Sequence, residues 1–417
     1  MKRTYEYRLY PCRAEQKALN LLLEQHREVY NRALEQGKNA YEATGKGQTA
    51  ISQWPYFRDW RNAFSDLLIN ASSLQHTLRR LDKAFGAFFR RVKAGADGVG
   101  EPQVSKTSVR PHRTTLGYPR FKGKDRLKSI EYTYGDGCKL DYDEAFDRFA
   151  LTVQNVGSIK VKLHRFLPDK SKIKHVVIQR KATGWYAYLM LEMPDIEVEP
   201  NGLPCVGGDM GLLRLLSLSD GTLIDNPRWL RGALAELRRS QRRLSRAVKG
   251  SHCRKDKRLL VAKLHEHVAN IRKDFWHKLT HWLANTYSLI ALENLNLNFM
   301  LRNSHLSLSA HDAGLGAFQT LLCYKAVEAG SHVTFVHAAY TSQACSGCGA
   351  LVEKDLSVRV HSCPNPACLL ELDRDVNAAI NILQIALQSA WIGPSVANVA
   401  AVQGKRRLRS SPIYRGE

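Results

Sequence analysis

No apolar run in the chain approaches the roughly 18 residues needed to span a bilayer, so a membrane-spanning helix is not expected. The basic start Met1-Lys2-Arg3 has no apolar core behind it, which argues against a signal peptide. No internal repeat is present, so a repeat array is excluded. Acids are scarce: 39 Asp and Glu stand against 62 Lys and Arg, a formal charge of +23. Such a surplus resists compaction unless a polyanion neutralises it, making nucleic acid the expected partner, ahead of a membrane surface. A paired cysteine framework is missing too. There are 9 cysteines, an odd count, with four clustered between Cys345 and Cys368. That argues against a disulfide scaffold and for a metal site in a reducing cytosol, so the cytoplasm is the expected location. What remains is ordinary globular material, 44% hydrophobic and 24% charged, with 417 residues for two or three domains.

TYEYRLY (4–10) alternates as a strand and ends at Pro11. Helical spacing follows over about 14–36, 53–68 and 74–93. The last stretch places Leu74, Leu78, Leu81, Phe85, Phe88 and Phe89 on one face, read as core, and Arg79, Arg80, Lys83, Arg90, Arg91 and Lys93 on the other. Residues 94–117 are rich in Gly, Ser, Thr and Pro and read as an exposed loop. Short β-prone runs with Asp-Gly turns fill 118–194, a pattern for a small antiparallel barrel or sandwich that the first strand would complete. From Cys205 strands and helices alternate, which suits an α/β domain. The final residues carry Lys405, Arg406, Arg407 and Arg409 without periodicity.

Two constellations carry chemistry. Cys345-Ser-Gly-Cys348 and Cys363-Pro-Asn-Pro-Ala-Cys368 supply four thiolates, a closed tetrahedral shell for one structural Zn²⁺; His361 is an alternative donor. Three acids stand in apolar or helix-start contexts: Asp209 in GGDMG, Glu293 ending SLIALE, and Asp375 in DRDVNAAINIL. Carboxylates in such places are costly unless they hold something positive, and two Mg²⁺ ions clamped by carboxylates suit phosphodiester hydrolysis. A turn role for Asp209 and a helix-cap role for Asp375 are the plain alternatives.

In order, GGDMGLLRLLSLSDG, LIALENLNL, YTSQACSGCG and LDRDVNAAINIL resemble the split RuvC nuclease domain of the TnpB family, RNA-guided nucleases of insertion sequences related to the smallest type V CRISPR effectors. YEYRLYP, LRRLDKAFGAFFRRVKAG, GYPRFKGK (117–124) and the segment 244–279 resemble TnpB as well, so the likeness covers most of the chain. It implies a multidomain α/β plus β-barrel architecture: an RNase-H-like RuvC domain with a zinc ribbon insertion, a wedge β-barrel and a helical recognition lobe. The implied boundaries are 1–11 and 113–198 for the wedge, 12–112 for the helical domain, 199–340 and 371–390 for RuvC, 341–370 for the zinc-binding target-nucleic-acid-binding domain, and 391–417 for a basic tail. Asp209, Glu293 and Asp375 become the RuvC acids, with Asp373 a supporting neighbour. Since nuclease-dead relatives lose such acids, an active enzyme is implied. The four-residue gap of CPNPAC, where relatives carry two, and GGDMG in place of GIDLG are departures.

The implied partners are a guide RNA and double-stranded target DNA, without a membrane; a monomer on the guide is the simpler arrangement, with two copies left open. Arg79, Arg80, Lys83, Arg90, Arg91, Arg120, Lys122, Arg239, Arg242, Arg243, Arg246, Lys249, Arg254 and Lys255 are the candidate nucleic-acid contacts. Ser72, Ser73, Gln75, His76 and Thr77 are candidates for reading a short motif flanking the target. Trp54, Tyr56, Phe57 and Trp60 read as core, and His265 and His277 as structural. Guided DNA binding without cleavage, a miniature CRISPR effector, and a strand-joining transposase are the competing functions.

Overall fold

The computed structural model describes residues 2–96, 117–194, 198–295, 300–301, 303–337, 340–355 and 358–389. The chain divides into two compact units, Met1–Asp195 and Ile196–Glu417. The tail expected at 391–417 and most of the loop expected at 94–117 lie outside the described residues.

In the first unit β1 (Lys2–Tyr10) precedes three helices, α1 (Arg13–Thr44), α2 (Ala50–Ala63) and α3 (Ala71–Ala96). Helix α1 runs past the expected end at about Gln36. It ends at Gly45, whose φ of 68° is a left-handed C-cap donating to the Tyr41 carbonyl. Six strands follow: β2 (Ser129–Thr133), β3 (Cys138–Asp143), β4 (Arg148–Val153), β5 (Gly157–Lys162), β6 (Lys172–Arg180) and β7 (Trp185–Glu192). They join β1 in a seven-stranded sheet of order β2-β6-β7-β1-β5-β4-β3. The alternation of β1 points Tyr5, Tyr7 and Leu9 into the core at the middle of that sheet.

The order has a geometric consequence. β2 and β3 are the two edges, yet only residues 134–137 connect them. Flat, the edges of such a sheet would stand about 29 Å apart, and this connection reaches at most about 18 Å. The sheet therefore curls into a half-barrel. Among the described residues β2 and β3 form no ladder, so of the barrel or sandwich expected from sequence the sheet makes an open half-barrel.

The free edge of β2 is covered instead by α3, through polar side chains four residues apart. Ser72 Oγ accepts from the Thr133 N–H at 3.0 Å. His76 Nε2 lies 3.1 Å from Thr133 Oγ1. Arg80 donates to the Ser129 carbonyl at 2.8 Å. An unpaired strand edge is a liability, and this stripe satisfies it within the unit. Phe57 is fully buried and Trp54 and Trp60 pack on the same core, whereas Tyr56 is exposed. Phe89, read as core, is exposed and stacks on Phe85.

The second unit holds β8 (Cys205–Asp209), β9 (Arg214–Leu218), β10 (Leu223–Asp225), α4 (Trp229–Arg246), α5 (His252–Thr286), β11 (Leu289–Glu293), α6 (Ser307–Ala313), α7 (Leu315–Ala329), β12 (His332–Val336), β13 (Val360–Ser362), β14 (Glu371–Asp373) and α8 (Arg374–Ser389). Five strands form a sheet of order β10-β9-β8-β11-β12. β8, β9 and β10 make an antiparallel meander, and β8, β11 and β12 run parallel. β8 and β11 are apolar and largely buried up to their final acids, as strands covered on both faces are, whereas the edge strand β12 is partly exposed.

Helix α8 lies directly on β8 because the strand presents glycine there. A Cβ on Gly207 would stand 2.0 Å from the Ala379 carbonyl oxygen, and one on Gly208 would meet Leu216 and Leu292 at 2.9 Å. Ala378 and Ala379 complete the close approach, both essentially buried. The GGD sequence is thus a packing requirement that sets α8 beside the strand carrying Asp209.

Candidate active site and cysteine centre

Gly208 of β8 pairs with Leu292 of β11, so Asp209 and Glu293, each ending its strand, leave the sheet side by side at its carboxyl edge. The two carboxyl groups share a hydrogen bond. Burial, then the charges of Glu293 and Asp375, push Asp209 up to about 7. Burial also raises Glu293, against the hydrogen bond from Asp209 and the charge of His337. Carboxylates held together out of water repel one another, and hard divalent cations with oxygen preference fit such a donor set.

Asp375 reaches the same edge from the first turn of α8. It does not cap that helix. Asp373 does, its Oδ1 accepting from the N–H groups of Asp375 at 2.9 Å and Val376 at 3.4 Å. Arg214 holds Asp373 at 2.6 Å and approaches Asp375 at 3.9 Å; Arg359 approaches the other Asp375 oxygen at 3.9 Å. The cap role is therefore displaced by two residues, leaving the Asp375 carboxylate half-buried beside Asp209. Groups of three donors within 4.8 Å of one another occur elsewhere among the described residues, not here. The acids are spread wider than the shell of one ion.

The four cysteines do converge. Their sulfurs lie within 4.8 Å of one another, with Cys345 3.8 Å from Cys368 and Cys348 3.5 Å from Cys363. A tetrahedral zinc with bonds of about 2.3 Å spaces its sulfurs by about 3.8 Å, so the residues fit that ion. The Ala350 N–H and then the Cys363 thiol hold Cys348 down to about 7, while Cys363 and Cys368 are pushed up, as neighbouring thiols sharing protons must be. The longer CPNPAC gap is absorbed by Asn365, whose carbonyl accepts from Cys368 at 2.9 Å and Leu369 at 3.0 Å, with Leu369 left-handed at φ 47°. A Cβ at Gly347 would come within 3.0 Å of the Cys368 sulfur, which explains the glycine of CSGC. His361 stands apart from the sulfurs, buried and paired with Lys354.

Two asparagines that composition and spacing did not single out tie this centre to α8. Asn377 accepts from the Ser346 N–H and donates to the Ala344 carbonyl; Asn381 donates to the Thr341 and Ala344 carbonyls. Their four-residue spacing in VNAAINIL is the signal that could have found them: two buried amides on one apolar helix face.

A family profile described as "Probable transposase" matches residues 188–304, and one described as "Cas12f1-like, TNB domain" matches 316–382, spanning the cysteines and Asp375. A third, "Helix-turn-helix domain", matches 1–46. A "Putative RNA-guided DNA endonuclease" of Streptomyces pristinaespiralis is 28% identical over 403 residues, covering 95% of this chain and 92% of its own length. "Putative RNA-guided DNA endonuclease InsQ" of Escherichia coli (strain K12) is 28% identical over 375 residues, 85% of each chain. Among solved structures, Cas12f1 in a complex with sgRNA and target DNA aligns with a TM-score of 0.53 and 16% identity, over 88% of this chain and 82% of that one. These matches bear out the resemblance to the TnpB family. Its fold is that of the Cas12f1 neighbour, and the residues of the helix-turn-helix match form β1 and the single helix α1.

Within this TnpB-like chain the candidate nucleic-acid contacts divide. Arg79, Lys83, Arg90 and Arg120 are exposed in the first unit, and Arg239, Arg242, Arg243, Arg246, Lys249 and Lys255 in the second. Others are engaged internally. Arg80 spans the β2 edge, Lys122 lies 4.6 Å from the centre of the Tyr30 ring, Arg91 donates to the Gly117 carbonyl, and Arg254 donates to the Leu244 and Ala247 carbonyls at the end of α4. Of the flank-reading candidates, Ser72, Ser73, His76 and Thr77 are buried and Gln75 is half-buried. Polar residues on a helix read as outward-facing; here they face a strand edge and the neighbouring helix, where His26 Nδ1 meets Thr77 Oγ1 at 2.8 Å.

Proposed function

We propose that this chain is an RNA-guided DNA endonuclease of the RuvC type. The observation that carries the chemistry is Asp209 and Glu293 paired at the ends of adjacent parallel strands, with Asp375 facing them from α8. The meander-plus-parallel sheet suits an RNase-H-like domain. The names of the full-length relatives and the fold of the Cas12f1 neighbour bring guide RNA and target DNA to this reading.

In it, base pairing supplies sequence and the protein supplies shape and phosphate contacts. The exposed cations of α3 and α4 follow the backbone of an RNA–DNA hybrid. Asp209, Glu293 and Asp375 hold two Mg²⁺ ions, which supply Lewis acidity and water activation when bound. The carboxylates fix where those ions sit; Arg214 and the Asp373 cap orient Asp375. Zinc on the four cysteines is structural, since no donor position is open.

The test is one gel. Supercoiled plasmid carrying target and flank is incubated with the chain, its guide RNA and Mg²⁺. Nicked and linear products are expected from the native chain, and none from Asp209→Ala or Glu293→Ala, both of which retain guide-dependent DNA binding. Cleavage by those variants at the native rate would overturn the assignment. Binding without cleavage by the native chain would favour a guided repressor.

A further inference from the structure

Thr133 of β2 lies opposite His175 of β6, and Glu131 opposite Val177, so Glu131 and His175 share one face of the sheet. Helix α3 brings His76 to the same place. His76 Nδ1 stands 3.4 Å from Glu131 Oε1, and His175 Nδ1 stands 4.0 Å from that oxygen. All three side chains offer donor atoms within 4.8 Å of one another.

A hydrogen-bonded cluster is a poor account of this geometry. The first separation is long for a hydrogen bond and the second is none. His175 Nδ1 is buried with no hydrogen-bond partner, which is costly unless something else satisfies it. A metal account fits better. Tetrahedral zinc with bonds of about 2.0–2.1 Å to nitrogen and oxygen spaces neighbouring donors by about 3.4 Å, the separation between His76 and Glu131.

The surroundings prepare His76 for that role. Its Nε2 sits 3.1 Å from Thr133 Oγ1. With Nε2–H donating to that hydroxyl, the Nδ1 lone pair is left for a ligand, the outer arrangement that metal-bound histidines use. The charges of Arg79 and Lys83 reach the ring and repel a dication, so binding here is weaker than at the four thiolates.

We infer that His76, Glu131 and His175 form a second metal site, for a zinc-like transition cation, which clamps α3 to β2 and β6. Two imidazoles with one carboxylate suit zinc and its neighbours rather than magnesium, which takes oxygen ligands. A water completes the shell.

The test uses the full chain with Asp209→Ala and Glu293→Ala, so that the acidic centre takes up no added metal, freed of nucleic acid and with zinc retained on its cysteines; His76, Glu131 and His175 are native except where substituted. Cobalt(II) is titrated and visible spectra are recorded. One further equivalent is expected, with d–d bands and no thiolate charge-transfer band. Glu131→Gln weakens it at least tenfold, and His175→Ala abolishes it. His175 is half-exposed, so its alanine variant should fold. As a second measurement, zinc raises the Tm of this chain and leaves that of His175→Ala in the same background unchanged. No cobalt uptake by this chain, or equal uptake and equal Tm shift in His175→Ala, would overturn the site.

Discussion

The carboxylate of Asp373 accepts the backbone N–H of Asp375 at 2.9 Å, so one acid caps the helix that presents the other. Losing each should therefore look different. Asp375→Asn is expected to remove cleavage below 1% of native while leaving Tm within a degree or two. Asp373→Ala costs about 1 kcal/mol as a lost cap, and it also frees Arg214 to pair with Asp375, so a fall in both Tm and rate is expected. Asp373→Asn keeps the cap and should restore Tm but not the full rate. Melting curves and plasmid cleavage on the three variants decide this; an Asp373→Ala enzyme with native Tm would contradict the cap.

Gly207 admits no side chain, since a Cβ there would meet the Ala379 carbonyl at 2.0 Å. Gly207→Ala must push α8 away from β8. Overpacking costs typically about 1–3 kcal/mol, and more where backbone must move. Because the displaced helix carries Asp375, cleavage should fall at least a hundredfold in protein that still folds. Ser219→Ala, which removes a 3.0 Å bond to the Gly207 N–H without crowding α8, should lower Tm with a much smaller effect on rate.

His26 sets an acid limit. Burial, with a smaller push from Arg80, holds its pKa down to about 3. The unfolded ring titrates near 6.5, so below that pH the unfolded chain binds the extra proton and stability falls as pH drops towards 3. At pH 5 the loss is about 2 kcal/mol. Asp209 works in the opposite sense: its raised pKa means protonation favours the folded state as pH falls from about 7. The clean measurement is the difference in urea midpoint between pH 7.5 and 5 for the native chain and His26→Gln. The variant should lose less. Equal losses would place the acid sensitivity elsewhere.

Arg239, Arg242, Arg243 and Arg246 are exposed on α4, whose opposite face buries Leu237 and Ser240. If they meet phosphates, each lost contact reduces the slope of log affinity against log salt by about 0.7–0.9. Arg242→Ala/Arg243→Ala/Arg246→Ala should lower that slope by about 2–3 in guide-RNA binding. Arg254→Ala should instead lower Tm with little change in slope, because its guanidinium caps α4 carbonyls. A slope unchanged by the triple substitution would remove α4 from the interface.

Much of this was legible because it was local. The strand at 4–10, the apolar strands ending in Asp209 and Glu293, and the cysteine turns each announce themselves within a dozen residues. What was not legible depended on distant partners. Ser72, His76 and Arg80 look like an outward polar stripe until the edge of β2, 49 to 61 residues later, is laid against them. Asp373 and Asp375 both read as helix starters, and only the placement of Arg214 and the first N–H groups separates them. Barrel closure failed for a related reason: the pattern of strands is local, whereas the helix that occupies the last edge comes from another part of the chain.

The sheet order also sets a timetable for synthesis. β1 emerges first, yet its partners are residues 160–162 and 185–192. At about 5–20 residues per second, roughly 10–40 s pass before the last of them is made. During that wait the helical block can collapse on itself while Tyr5, Tyr7 and Leu9 have no sheet to enter. The nascent chain thus carries an amphipathic strand without its sheet partners, and completion of the half-barrel waits for its final strand.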